Sequence, residues 1–179
     1  MGIALPASVR WRLPAAHWHR HLTVLTLAIA AILLIFHRDA ADMAAIWWTS
    51  STFGHCLFIL PIVCWLVLQR WDEVEPLQPS GWWPGLVALA IGAFGWAIGE
   101  AAAVALIRHA SLVFMVQTAV LTILGPAITR ALLFPLFYLC FLVPFGEELV
   151  PPMQTLTAKM CMVLLGWVGI PANIDGIFI

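Results

Sequence analysis

His55 stands at the head of an apolar run in "TSSTFGHCLFILPI", where an imidazole could handle a proton or touch a substrate. Glu100 follows Gly99 near the end of another apolar run, with Arg108 two helical turns further on. Ionisable groups at membrane depth are costly, which invites a functional reading of both. The plainer readings are a His55 bonded to a neighbouring helix at the interface and a Glu100 paired with Arg108. Glu147 and Glu148 adjoin in the manner of general acid–base carboxylates, but a solvated loop end accounts for them more simply. Lys159 sits where its ammonium can snorkel to the interface. The cysteines Cys56, Cys64, Cys140 and Cys161 form no CxxC pair. Cys56 and Cys64 fall on one expected helix about 12 Å apart, beyond the reach of a disulfide. All four read as free thiols behaving as small apolar residues. No phosphate-binding glycine loop, HExxH or GxSxG occurs, and no cofactor or metal site is expected. His55 and Glu100 remain as the candidate polar positions.

The elements that must position them are set by composition. The chain has 179 residues, 63% hydrophobic and 9% charged. A soluble domain carries about a quarter charged residues, so this chain cannot cover a water-exposed globule. It reads as an integral membrane protein whose principal partner is the lipid bilayer. Eight basic and nine acidic residues leave no electrostatic footprint for nucleic acid.

The expected fold is an all-α, polytopic transmembrane helical bundle forming one domain over 1–179. The first apolar run covers Leu22–Phe36, with Trp18 able to extend it backwards; it reads as an uncleaved signal anchor. The second span covers Thr52–Gln69 and the third Trp82–Ile107. The stretch from Ala110 to Phe145 would make about 54 Å of helix, too long for a hydrocarbon core of about 30 Å. It must fold back at Gly125-Pro126 and Arg130, giving a fourth span (Ala110–Leu124) and a fifth (Ala131–Phe145). A sixth helix, Met153–Gly169, starts polar and is expected to insert only in part. Pro61 and Pro135 should free backbone carbonyls that neighbours must satisfy.

With the N-terminus inside, Arg10, Arg12, Arg20, Arg70 and Arg130 are cytoplasmic and only Arg38 and Arg108 lie outside. That satisfies the positive-inside rule and places the Gly146–Pro152 loop externally. Ala88, Gly92, Gly95, Gly99 and Ala103 form a small-residue face on the third span, with Gly95-x-x-x-Gly99 its expected tightest contact. Trp47, Trp48, Trp82 and Trp83 are expected to form an interfacial belt.

Two stretches carry a resemblance. "IWWTSSTFGHCLFILPIVCWLVLQR" resembles the exosortase segment written around W-x-x-S-x-T-F-x-H-G, followed by an apolar helix with a proline. "LLFPLFYLCFLVPFGEELVPPMQTLTAKMCMVLLGWVGIPANIDGIFI" is similar to that family's next hallmark. There a short helix ends in a V-P-like step, then come an outer loop, P-x-L-Q/M-Q, T-A, a helix, G-I-P and an E/D-G-x-x-I strand. The resemblance runs from Trp47 to Ile179 and is closest to the polysaccharide-locus type. Cys56 stands where the family usually has glycine, which questions tight helix packing at that point.

The resemblance implies a polytopic enzyme of the bacterial inner membrane. Its partner would be the C-terminal sorting signal of an exported protein: a Pro-Glu-Pro motif, a transmembrane helix and a basic tail. It implies a cysteine-type protease or transpeptidase, linked to exopolysaccharide production, with an arginine and a histidine supporting the thiolate. In the family the cysteine lies in an A-E-A-C-S-G-like helix start beyond the strand that "DGIFI" would begin. No cysteine here is followed by Ser-Gly, so no catalytic residue carries over. The chain is therefore expected to be an N-terminal portion, truncated before the catalytic motifs. The alternative is a non-catalytic polytopic protein, such as a transporter component or assembly partner.

Overall fold

The structure is a computed structural model that describes residues 16–50, 52–146 and 150–169, and among these every regular element is helical. Arg10, Arg12, the Glu147–Glu148 pair and the terminal segment ending in "DGIFI" lie outside the described residues. In chain order the helices are α1 (Ala16–Ile35), α2 (His37–Thr49), α3 (Cys56–Gln69), α4 (Trp71–Val74), α5 (Pro84–Ala101) and α6 (Ala105–Leu124). Then come α7 (Pro126–Ala131), α8 (Leu133–Tyr138), a 3-10 turn (Leu139–Leu142) and α9 (Val150–Val168). The expected helical membrane bundle is what forms. Among the described residues three helices, α1, α5 and α6, are long and apolar enough to cross a membrane. Two shorter apolar segments, Cys56–Gln69 and Leu133–Leu142, correspond to the second and fifth expected spans.

α6 is the axis of the bundle: α1, α2, α7 and the 3-10 turn meet it, and α5 lies against it along its length, while α3 packs on α8 and the 3-10 turn. Leu112, Val113 and Met115 of α6 pack with Met43, Ile59 and Leu142 towards one end. Val120 and Leu124 pack with Trp18, Val74 and Ile128 towards the other. Trp18 is buried and donates its indole N–H to the carbonyl of Glu75 at 3.3 Å, so α1 does extend back beyond Leu22.

Several boundaries differ from expectation. The third span ends at Ala101 rather than Ile107, and the fourth begins at Ala105 rather than Ala110. The break is a Schellman turn: Val104 N–H bonds the Gly99 carbonyl at 2.9 Å and Ala103 N–H the Glu100 carbonyl at 3.1 Å. Ala103 adopts φ 54° to close it, so it leaves the helix and the small-residue face. Residues 37–49 are helical rather than a loop. The fifth span is α8 followed by the 3-10 turn, not one continuous helix.

The fold-back at Gly125-Pro126 is where expected. Gly125 takes φ 86° with Ser80 packed against it, and Pro126 opens α7 at a position that needs no N–H. Pro135 also behaves as expected. It cannot donate to the Ala131 carbonyl one turn back, and Arg70 Nη1 donates to that carbonyl instead, at 3.1 Å.

The small face of α5 does pack on α6, but the tightest approach is not Gly95–Gly99. A Cβ on Gly85 would lie 2.8 Å from Thr122 Cα; Gly99 comes next against backbone, 2.9 Å from Arg108 N, and at Gly95 the nearest atom is only the Ser111 hydroxyl at 2.9 Å. Backbone cannot yield as a side chain can. Gly85→Val should therefore lose about 1–3 kcal/mol of stability in a detergent unfolding titration. Gly166→Ala on α9, with nothing within 4 Å, should be neutral or gain up to about 1 kcal/mol from helix propensity. Equal effects at the two glycines would refute this account of the hairpin.

Candidate functional site

Glu100 and His55 fall into two different groupings, at the end of the bundle where α2, the start of α3, the α5–α6 turn and the 3-10 turn meet. The Schellman turn sets Glu100 on α5 opposite Arg108 on α6. Arg108 Nη1 donates to Glu100 Oε2 at 2.6 Å, so the expected pairing forms, across a hairpin rather than along one helix.

The pair opens onto a deeper group that sequence reasoning missed. Arg108 Nε lies 3.2 Å from Asp39 Oδ1, and Trp96 Nε1 donates to Asp39 Oδ2 at 2.7 Å. Asp39 is buried on the first turn of α2, which places a carboxylate near helix N–H groups. His109 and Asp42 complete the group: one ligand atom from each of Asp39, Asp42 and His109 lies within 4.8 Å of the others. Phe36 stacks edge-on against Trp96 at 4.8 Å between ring centroids and closes one side. The signal was present as Asp39-x-x-Asp42, three residues apart, but it is meaningful only once residues 37–49 are known to be a helix.

His55 is exposed in the turn before α3. Its Nδ1 bonds the Thr52 carbonyl at 3.0 Å, an acceptor in its own turn rather than on a neighbouring helix. A carbonyl only accepts, so Nδ1 carries the proton and Nε2 presents a lone pair in the neutral ring. Nε2 lies 3.8 Å from Cys56 Sγ, and that thiol reaches the Phe141 carbonyl at 3.4 Å. Cys56 is fully buried, so a thiol fits where the resemblance would put glycine. His55 also lines a cleft of about 220 Å³ with Phe58, Tyr138 and Phe141.

Trp47 anchors this end from the other side. Its indole N–H donates to the Leu142 carbonyl at 2.9 Å, making it a tether between α2 and the 3-10 turn. Trp48 and Trp83 stay largely exposed.

Between the α5–α6 hairpin and the 3-10 turn runs an apolar groove of about 550 Å³. Its walls include Ile91, Phe114, Val143 and Phe145, and its polar contribution comes from Ser111 and Gln117. Gln117 is held in place by donating to the Leu136 carbonyl at 2.7 Å and to Cys140 Sγ at 3.3 Å.

Residues 47–179 match the family described as transmembrane exosortase. The chain belongs to that family. No curated protein and no solved structure matches it. The exosortase match begins at Trp47, the tether residue, and takes in His55, Glu100, Arg108, His109 and the groove. Asp39 and Asp42 precede it. The exosortase region thus packs on a segment outside the match, through the Asp39–Arg108 ion pair and the Trp96 bond.

Proposed function

We propose that the chain serves as the membrane-embedded, substrate-receiving part of an exosortase. In this reading it takes up the C-terminal sorting signal of an exported protein, whose apolar helix lies along the groove beside Phe114. The observation that carries the reading is the family match over residues 47–179. The groove supports it: it is apolar, about 550 Å³ in volume and lies between helices, where a single transmembrane helix is recognised by packing and a few polar contacts. In this reading these residues bind the substrate helix and build the scaffold around it. The setting proposed is the bacterial inner membrane, with the Asp39 end facing outwards.

Two measurements test this. A photo-crosslinking amino acid at Phe114 should capture a co-expressed substrate bearing a Pro-Glu-Pro tail, helix and basic end. The same group at Trp65, exposed on α3 and outside the groove, should capture little. Equal capture from both positions, or none from Phe114, removes the groove from the mechanism. For orientation, single cysteines replacing Thr49 and Glu73 in a cysteine-free background should label oppositely with an impermeant maleimide. Thr49→Cys should react in intact cells and Glu73→Cys only after permeabilisation; labelling from one side sinks the proposed topology.

A further inference from the structure

Three side chains that substrate binding does not use converge on one point. Asp39 and Asp42 stand one helical turn apart on α2, and His109 reaches them from the second turn of α6. One donor atom from each lies within 4.8 Å of the other two. Asp39 is 4% and His109 2% exposed, while Asp42 faces outwards. The result is a site with an enclosed wall and one accessible side.

Charge sharpens the point. Asp39, Asp42 and Glu100 bring three negative charges to this end of the bundle, against the two positive charges of Arg108 and of Arg38, which is exposed on α2. Arg108 divides its charge between Asp39 and Glu100. Arg108 acts on Asp42 through space without a direct ion pair between them, and the Asp42 carboxylate approaches the same buried imidazole. Negative charge in a partly desolvated site calls for a compensating cation.

We propose that Asp39, Asp42 and His109 bind one divalent transition-metal cation of the zinc class. The donor set is two carboxylate oxygens and one imidazole nitrogen. That combination suits a borderline cation better than magnesium or calcium, which favour all-oxygen shells. Bonds of about 2.0–2.2 Å place tetrahedral ligands about 3.3 Å apart, so the three atoms must draw in slightly. Asp42 can supply that movement, being exposed and free to change rotamer. Trp96 meanwhile holds Asp39 through Oδ2 at 2.7 Å, the kind of outer bond that fixes a ligating carboxylate. The fourth position opens on the Asp42 side and would take water. A bound cation here would fasten α2 to α6 and complete the charge balance.

The test uses the whole chain in detergent, stripped with chelator and titrated with Zn²⁺ and, separately, Co²⁺. One equivalent of each should bind, and the Co²⁺ spectrum should lack the charge-transfer band of a thiolate ligand. Asp42→Asn removes an exposed carboxylate without disturbing packing and should weaken Zn²⁺ binding about tenfold or more at unchanged helicity. His109→Gln should abolish it. The proposal is overturned if neither metal binds, if a thiolate band appears, or if Asp42→Asn binds as tightly as the parent. The last result would place the metal elsewhere, for example on the histidines at the start of α1.

Discussion

Replacing Arg108 with leucine should cost the bundle about 3–5 kcal/mol, the range for breaking a buried ion pair by deleting one partner. The penalty arises at Asp39. Its side chain is 6% exposed, and of its two partners only Trp96 would remain. A carboxylate left with one neutral donor in that setting is poorly solvated by protein and by water alike. Glu100 provides the contrast: it binds the same guanidinium but is 54% exposed, so Glu100→Gln should cost about 1 kcal/mol or less. A second-site change separates charge from packing. Asp39→Asn keeps an acceptor for Trp96 and removes the charge, so Arg108→Leu with Asp39→Asn should recover much of the loss. Unfolding of the purified protein in detergent, with chelator present to silence any bound metal, reads all four states. Similar small losses for Arg108→Leu and Glu100→Gln would mean that the pair contributes little.

That network also shows how far the sequence could be read. Hydropathy finds α1, α5 and α6 because each is a long apolar run, and it finds the break at Gly125-Pro126 because those residues favour nothing else. It overruns at 101–104, since a run of alanines is good helix and the turn depends on Ala103 taking a left-handed conformation that only the packed hairpin enforces. It passes over α2 entirely. "HRDAADMAAIWWT" begins polar and ends apolar, so its average resembles a loop, while its buried positions, Asp39 and Met43, are four apart as a helix requires. Glu100 and Arg108 could be paired from sequence because both were visible ions near one membrane face. Asp39, Trp96 and His109 could not join them until α2 was in place. Of the polar centre, sequence reading thus reached Glu100 and its partner Arg108, and the unseen members, Asp39, Asp42, Trp96 and His109, were the part held by tertiary packing.

The same geometry bears on cleavage. The chain expressed alone should leave a Pro-Glu-Pro-tailed substrate intact, because attack on a peptide needs a thiolate, a base beside it and an oxyanion stabiliser in one place. Cys64 is exposed on the outer face of α3, and Cys161 is half-buried on α9. Cys140 meets the Gln117 amide, a donor to sulfur and no proton acceptor. Cys56 comes nearest to a dyad, since His55 Nε2 offers a lone pair at 3.8 Å. Yet its thiol is 1% exposed and engaged with the Phe141 carbonyl at 3.4 Å, leaving no path for a substrate carbonyl to reach the sulfur. The guanidinium at this end is also committed, with Arg108 bound to Asp39 and Glu100. Immunoblotting of the co-expressed substrate should show no shortened product from the parent or from Cys56→Ala. A product made by the parent and lost in both Cys56→Ala and His55→Gln would reverse the argument. It would make the Cys56–His55 pair the reacting centre and require the α3 end to open for substrate.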